Sequence, residues 1–247
     1  MERVVLGGVD LSAYCTVLVG PRPLPSVEPV LERVAGFDGY RFNGADLVPQ
    51  PITLKLVAFG SAARRTELLR ELAPVLASCE PAKLAMSGDN GRYRMVVPTG
   101  EIESAPRVTG GSVTLALQPL EAAMHGDERS VTVPSGGSVT FIAGGNHRTR
   151  PVIRASAVRN STSKLWGVRL DGGDFIHVAT GSSSARAVVL DCDARTCTVQ
   201  GLTALPTLDS DWLEFEPLDE DLNPIEHVLS IDNGTGAATV TWTERWL

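Results

Sequence analysis

The chain has 247 residues, 43% hydrophobic and 21% charged, which is enough to bury a sizeable core in one large β domain or two small ones. Its formal charge is -7, from 29 acidic against 22 basic residues. That excludes a protein that grips nucleic-acid phosphates through a basic surface, yet it suits a surface past which DNA slides without sticking. No stretch approaches the roughly 18 uncharged apolar residues of a membrane span, and MERVVLGGVDL lacks the basic start and long apolar run of a signal peptide. The expectation is a product made and kept in a cytoplasm, away from membranes.

In chain order, VVLGGVDL and YCTVLVG read as short strands. The proline-rich stretch 21–29 reads as a stiff connector or edge, because proline cannot donate to a central ladder. VLERV follows, then GFDGYRFNGADL, whose glycines mark a β-hairpin arm or an exposed loop. In the next segment Ile52, Leu54, Leu56 and Ala58 alternate with Thr53, Lys55 and Val57, the two-residue period of a half-buried strand. Ser61 then stands at an N-cap position before the chain's one convincing helix. Leu68, Leu69, Leu72, Val75 and Leu76 form one apolar stripe along it. Pro74 is expected to kink this helix, or to end it near Ala73. KLAMSGDNGRYRMVVPTG reads as strand, turn and strand, and Val113, Leu115 and Leu117 mark a further strand closed by Pro119.

A domain boundary is expected near residues 119–130, where PLEAAMHGDERS is polar and breaks the β rhythm. This divides the chain into residues 1–123 and 124–247. Beyond Val131, short strand-like segments from SVTFIAG through DWLEFEP to AATVTWTERW recur with turn signals between them, as in a β-sandwich or jelly roll. The fold class is therefore mainly β, with one helix in the first domain.

The inventory of chemistry is thin. His125, His147, His177 and His227 are dispersed, and His177 in DFIHVAT reads as a hydrogen-bonded sheet residue. No nucleophile elbow, P-loop or dinucleotide fingerprint is present. Glu214, Glu216, Asp219, Glu220 and Asp221 cluster without EF-hand spacing and read as a solvated rim. Glu214 and Glu216, about 7 Å apart on one strand face, do not flank a bond as glycosidase carboxylates do. Cys15, Cys79, Cys192 and Cys197 read as free thiols, although Cys192 and Cys197 could meet across a hairpin. No catalytic residue, metal or cofactor is expected. One binding function stays open, that of a carbohydrate-binding module for host cell-wall attachment, with Trp166 and Trp212 stacking on sugars. Trp242 alternates in phase with Val240 and reads as core.

Several stretches, in their order and spacing, resemble the siphophage distal tail protein family. A glycine-containing loop, Val34 to Asp46, leads into PITLKLVAFGS and a helix with paired leucines. GDNGRYRMVV, SVTLALQPLEAAMHG, GGNHRTRPVIRASA, SDWLEFEPLDEDLNPIEHVLS and the terminal VTWTERWL follow. The likeness spans nearly the whole chain. It departs where Pro217 is followed by the acidic LDEDLNP instead of a proline-glycine-asparagine turn. The resemblance implies an N-terminal "belt" β-sandwich, braced by Leu68, Leu69, Leu72 and Leu76, and a C-terminal galectin-like β-sandwich. It implies a non-enzymatic hub at the virion tail tip, assembled in the host cytoplasm as a hexameric ring. Such a ring joins the tail tube protein to tail-associated hub, receptor-binding or lytic proteins, and the tape measure protein is a further partner. DNA passes through its lumen without specific binding. Finally, it implies that Asp38, Tyr40, Arg41, Phe42 and Asn43 contact a neighbouring subunit.

Overall fold

The structure, a computed structural model, describes residues 2–22, 24–33, 39–59, 61–106, 110–181 and 183–247. Among these the chain is mostly β with one α-helix. It divides into two compact units, residues 1–125 with Leu247, and residues 126–246.

The first unit contains β1 (Val4–Leu6), β2 (Val9–Asp10), β3 (Thr16–Val19), β4 (Ser26–Glu32), β5 (Arg41–Val48), β6 (Ile52–Phe59), α1 (Ala62–Leu76), β7 (Ala82–Met86), β8 (Tyr93–Pro106) and β9 (Gly110–Pro119). Neighbouring strands run in the order β2-β1-β7-β8-β9-β6-β3, so β2 and β3 are the ends of this run. Alternation decides which face of β6 is buried. Ile52, Leu54 and Leu56 point inward while Thr53 and Lys55 are exposed, and β9 answers with Val113, Leu115 and Leu117. Helix α1 lies against β9 and buries Leu72 and Leu76 almost completely. Each such leucine contributes about 2 kcal/mol of apolar burial. The side chains of Leu68 and Leu69 lie outside the described set.

Pro74 does not break the helix, which continues to Leu76. It falls in the last turn, where a proline costs less than in the middle, and Ala77 N–H still bonds the Ala73 carbonyl. Between β7 and β8 the chain turns through Asn90 and Gly91, both at positive φ (52° and 83°), as the Asp-Asn-Gly sequence requires. Arg22 donates to the nearly buried Asp89 (Nη1 to Oδ1, 2.7 Å) and also pairs with Glu2, which ties the N-terminus to this turn. Burial raises the Asp89 carboxyl above its ordinary value, despite the opposing charges of Arg22 and Arg94. Burial likewise lowers Arg94, against the attraction of Asp89.

The second unit contains β10 (Met124–Val133, entering from the first unit), β11 (Ser138–Ile142), β12 (Val152–Arg159), β13 (Leu165–Leu170), β14 (Phe175–Ala179), β15 (Arg186–Asp191), β16 (Thr196–Val199), β17 (Leu202–Ala204), β18 (Glu226–Asp232), β19 (Gly234–Thr235) and β20 (Ala238–Trp246). One sheet runs β17-β16-β15-β12-β20-β10, and a four-stranded sheet runs β11-β18-β13-β14. The inward residues of both share a single core, including Ile153, Trp166, Val168, Ile176, Leu190, Leu229 and Val240. At its centre Phe141, Phe215 and Trp242 meet with ring centroids 4.9 to 5.4 Å apart. Trp242 Nε1 donates to the Ala143 carbonyl at 2.7 Å, so the indole is buried without an unpaired donor.

Two sequence expectations need correcting here. The units do divide within the expected stretch, but MHGDERS does not break the β rhythm: it is part of strand β10, with Asp127 to Ser130 exposed, so polarity there reflects a solvent face. DWLEFEP keeps its alternation, with Leu213 and Phe215 buried, but only Phe215 bridges to another segment, at Thr149.

Candidate functional site

The arm β4–β5 stands out in the first unit. Among the described residues it is a two-stranded sheet paired with no third strand. It is inserted between β3 and β6, which pair directly with each other. The register places Val27 opposite Leu47 and Leu31 opposite Phe42 on one face, and Glu28 opposite Asp46 and Glu32 opposite Arg41 on the other, with a bulge between Pro29 and Leu31 that gives β5 one extra residue. One face thus carries both apolar cross-strand pairs, yet Val27, Leu31 and Phe42 are 63%, 51% and 65% exposed. An isolated two-stranded hairpin is marginal in water. One that shows an apolar face and offers open strand edges needs a covering partner.

Of the residues expected at an interface, Tyr40 and Phe42 are strongly exposed, and so is Arg41. Asn43 is exposed and donates through Nδ2 to Glu32 Oε2 at 2.9 Å, which pins the arm's own pairing. Asp38 lies outside the described residues. Sequence reading did not single out Leu31, Val27 and Leu47, because it left the proline-rich stretch as either a connector or an edge; its second half forms an edge strand with β5. The valine and leucine at 30 and 31, following a proline, were the available signal.

The polar clusters of the second unit hold the sandwich together. His177 Nε2 lies 2.9 Å from Asp232 Oδ2, which also accepts from Arg169 Nη2 at 2.8 Å. Desolvation pushes the Asp232 carboxyl up, but the bonds from His177 and Arg169 outweigh it and hold the group below its ordinary value. His227 Nδ1 lies 2.7 Å from Asp171 Oδ2, and its Nε2 lies 2.8 Å from the Glu216 carbonyl. Glu214 accepts from Arg148 Nη1 (2.9 Å) and Arg150 Nε (2.8 Å). Here too desolvation raises the carboxyl, and the two arginines together bring it below the ordinary range. Glu216 is exposed and contributes its carbonyl, not its carboxylate, to the His227 bond. Asp219 folds its own loop by accepting from the backbone N–H groups of Asp221 and Asn223. None of these groups is a nucleophile aligned with a base.

The tryptophan expectation is overturned for Trp166. It is 0% exposed, so it has no ring face to offer a sugar. Trp212 is only partly exposed and packs against the same core. Cys192 and Cys197 are free and buried. Burial pushes their thiols up to about 12 and about 11, so neither is a reactive thiolate at neutral pH.

Comparisons with known proteins agree with this architecture. Residues 144–246 match the family described as "Siphovirus-type tail component, C-terminal domain". Over 97% of its length the chain is 26% identical to the distal tail protein of Bacillus phage SPP1, covering 94% of that protein. The fold matches the crystal structure of the SPP1 Dit protein, described as "a Paradigm of Hub Adsorption Apparatus in Gram-positive Infecting Phages". That match has a TM-score of 0.76 and 19% identity, and it covers 100% of both chains. The expected resemblance to the siphophage distal tail proteins is therefore present along the whole chain, and the mainly β fold is theirs.

Proposed function

We propose that the protein is a structural, non-enzymatic hub subunit of a siphophage tail tip. Its copies join through the β4–β5 arm into a closed ring, for which six subunits are expected. The full-length likeness to a distal tail protein supports the tail location. The single observation that carries self-assembly is the arm itself, a ribbon with an exposed apolar face and, among the described residues, no third strand. A ring needs a heterologous contact, with the arm on one side of each subunit and a different surface on the other. The first unit is the ring-forming part. The second sandwich, with its aromatic core closed, is the part that presents surfaces to tail-associated hub, receptor-binding or lytic proteins. The tail tube protein meets the ring's opposite side, and the tape measure protein and the DNA share its lumen.

Native mass spectrometry of the purified full-length chain tests this reading. The expected species are hexamers or back-to-back pairs of hexamers. Deleting residues 26–48 should leave a folded monomer. A ring that persists without the arm overturns the role given to it.

A further inference from the structure

The second unit carries an apolar ridge that its own core does not use. Leu202, Leu205 and Leu208 are 74%, 85% and 108% exposed. Successive members of this set are at most about 10 Å apart along the chain, so they make up one solvent-facing patch. Of the residues between them, Ala204, Pro206 and Thr207 are half-buried, which leaves the leucines as the outward side of the segment. Large exposed apolar side chains grouped in this way mark an interaction surface.

The ridge is held in place by backbone bonds. Among the described strands, β17 ends one sheet of the sandwich and β14 ends the other. The chain after β17 crosses between them. Pro206 bridges to Val178, Thr207 N–H donates to the His177 carbonyl (2.9 Å), and Asp211 N–H donates to the Phe175 carbonyl (2.9 Å). The Ser210 hydroxyl accepts from His177 N–H at 2.9 Å. A ridge ordered in advance loses little further freedom when a partner covers it.

Charge states what the partner must offer. From Thr196 to Ile225 there is no lysine, arginine or histidine, while seven residues are acidic. Asp209 and Asp211 are exposed directly beyond Leu208, and the Asp211 carboxylate has no partner among the described residues. The register carries Arg195 toward Leu205, but Asp191 and Asp193 share its turn. Three leucines fall well short of the roughly 800 Å² per partner that a stable pairing of two such ridges needs. An anionic lipid surface or a nucleic acid is repelled by the carboxylates. A protein groove with an apolar floor and a basic rim suits both the leucines and the acids.

We propose that the leucine ridge is the surface by which the second unit holds a different tail-tip protein, one with an apolar groove rimmed by lysine or arginine; this rests on the reading of the second sandwich as the part that meets tail-associated proteins. Leu205 and Leu208 fill the groove, and Asp209 and Asp211 meet its rim. The leucines supply the affinity, and the acids select the partner and its orientation.

The phage's tail-associated hub, receptor-binding and lytic proteins, each co-expressed singly with the full-length chain, test the docking. Native mass spectrometry reads complexes and oligomers in the same samples. Wild type should form a complex with one of them. Leu205→Asp with Leu208→Asp should weaken that complex at least about thirtyfold and leave the chain's own oligomers unchanged. Asp211→Lys should weaken it about fivefold, and by less as salt is added. All three positions are exposed, so unchanged thermal unfolding is the folding control. A leucine variant that binds as wild type does overturns the docking and leaves the hub reading standing. A leucine variant that instead loses self-assembly shows that a second copy covers the ridge, which also overturns it. A wild type that binds none of these proteins removes the docking together with the partner-holding role of the second unit, while its oligomers still decide the ring.

Discussion

The two units treat their aromatic residues in opposite ways. In the first, the core is aliphatic: Leu6, Leu11, Ile52, Leu54, Leu72, Leu84, Leu115 and Leu117 are among its most buried members. Tyr14, Tyr40, Phe42 and Phe59 are all exposed. In the second, Phe141, Trp166, Phe215 and Trp242 lie inside and share one core. Aromatic side chains bring the largest burial and the most directional packing of any residue type. The second unit uses them to complete itself. The first leaves those four outside, where they contribute little burial to the free chain, and half-buries Tyr93, whose ring stacks on His125. Stability and association should therefore respond to substitution separately in the two regions.

The largest effect is expected from Leu72→Asp, which places a carboxylate in the helix–sheet contact of the first unit. It should cost more than about 4 kcal/mol and abolish cooperative folding of that unit, as read by hydrogen exchange of β6 and β9 amides. Protection there at the wild-type level would mean that α1 is not integral to the core. Next comes Phe215→Ala. Removing the ring between Phe141 and Trp242 should lower the unfolding free energy of the second unit by about 3–5 kcal/mol in denaturant titrations. The contrasting case is Tyr40→Ala with Phe42→Ala. This change should leave unfolding within about 0.5 kcal/mol of wild type while weakening self-association by about 2 kcal/mol or more. A loss of stability with association intact would reverse the comparison.

The smallest effect concerns pH, and it has opposite signs in the two regions. Glu214 and Asp232 have lowered carboxyls, so their contribution to the second unit is present above the ordinary carboxylate range and is lost as pH falls below it. Asp89 has a raised carboxyl, so its contribution to the first unit is present at low pH and is lost as pH rises through the raised value. Between about pH 7 and pH 3, Glu214→Gln should reduce the acid-side loss of stability by on the order of 1 kcal/mol, and Asp89→Asn should act in the opposite direction. The measurement is unfolding free energy against pH for each variant, and a common sign would remove the distinction.

Much of this architecture was legible from side-chain periodicity. The two-residue alternation of β6 and β9 and the stripe ending at Leu76 correspond directly to what is buried. Trp242 reads as core from its phase with Val240, and it is core. Periodicity misleads where it reports solvent exposure instead of pairing. MHGDERS is polar because β10 is largely exposed there, not because the strand stops. In 212–216 the alternation is right, but the segment lacks a ladder beyond the bridge at Phe215. The polar clusters were beyond reach for another reason. His177 meets Asp232, and His227 meets Asp171, across more than fifty residues of chain, and only strand order brings such partners together. The exposed tyrosine and phenylalanine of the arm were visible in sequence; that the pairs Val27–Leu47 and Leu31–Phe42 share one face appears only with the register.

The insertion of the arm between β3 and β6 has a consequence for how such a protein can change over time. Those two strands hold each other through a direct register from Thr16–Val57 to Val19–Leu54, so the sheet does not depend on what loops out between them. Adding or removing residues in a connection of that kind costs little closure entropy. The arm can lengthen, shorten or exchange its surface residues without any rearrangement of the buried leucines. Its exposed surface is free to diverge between lineages while the scaffold that carries it stays fixed.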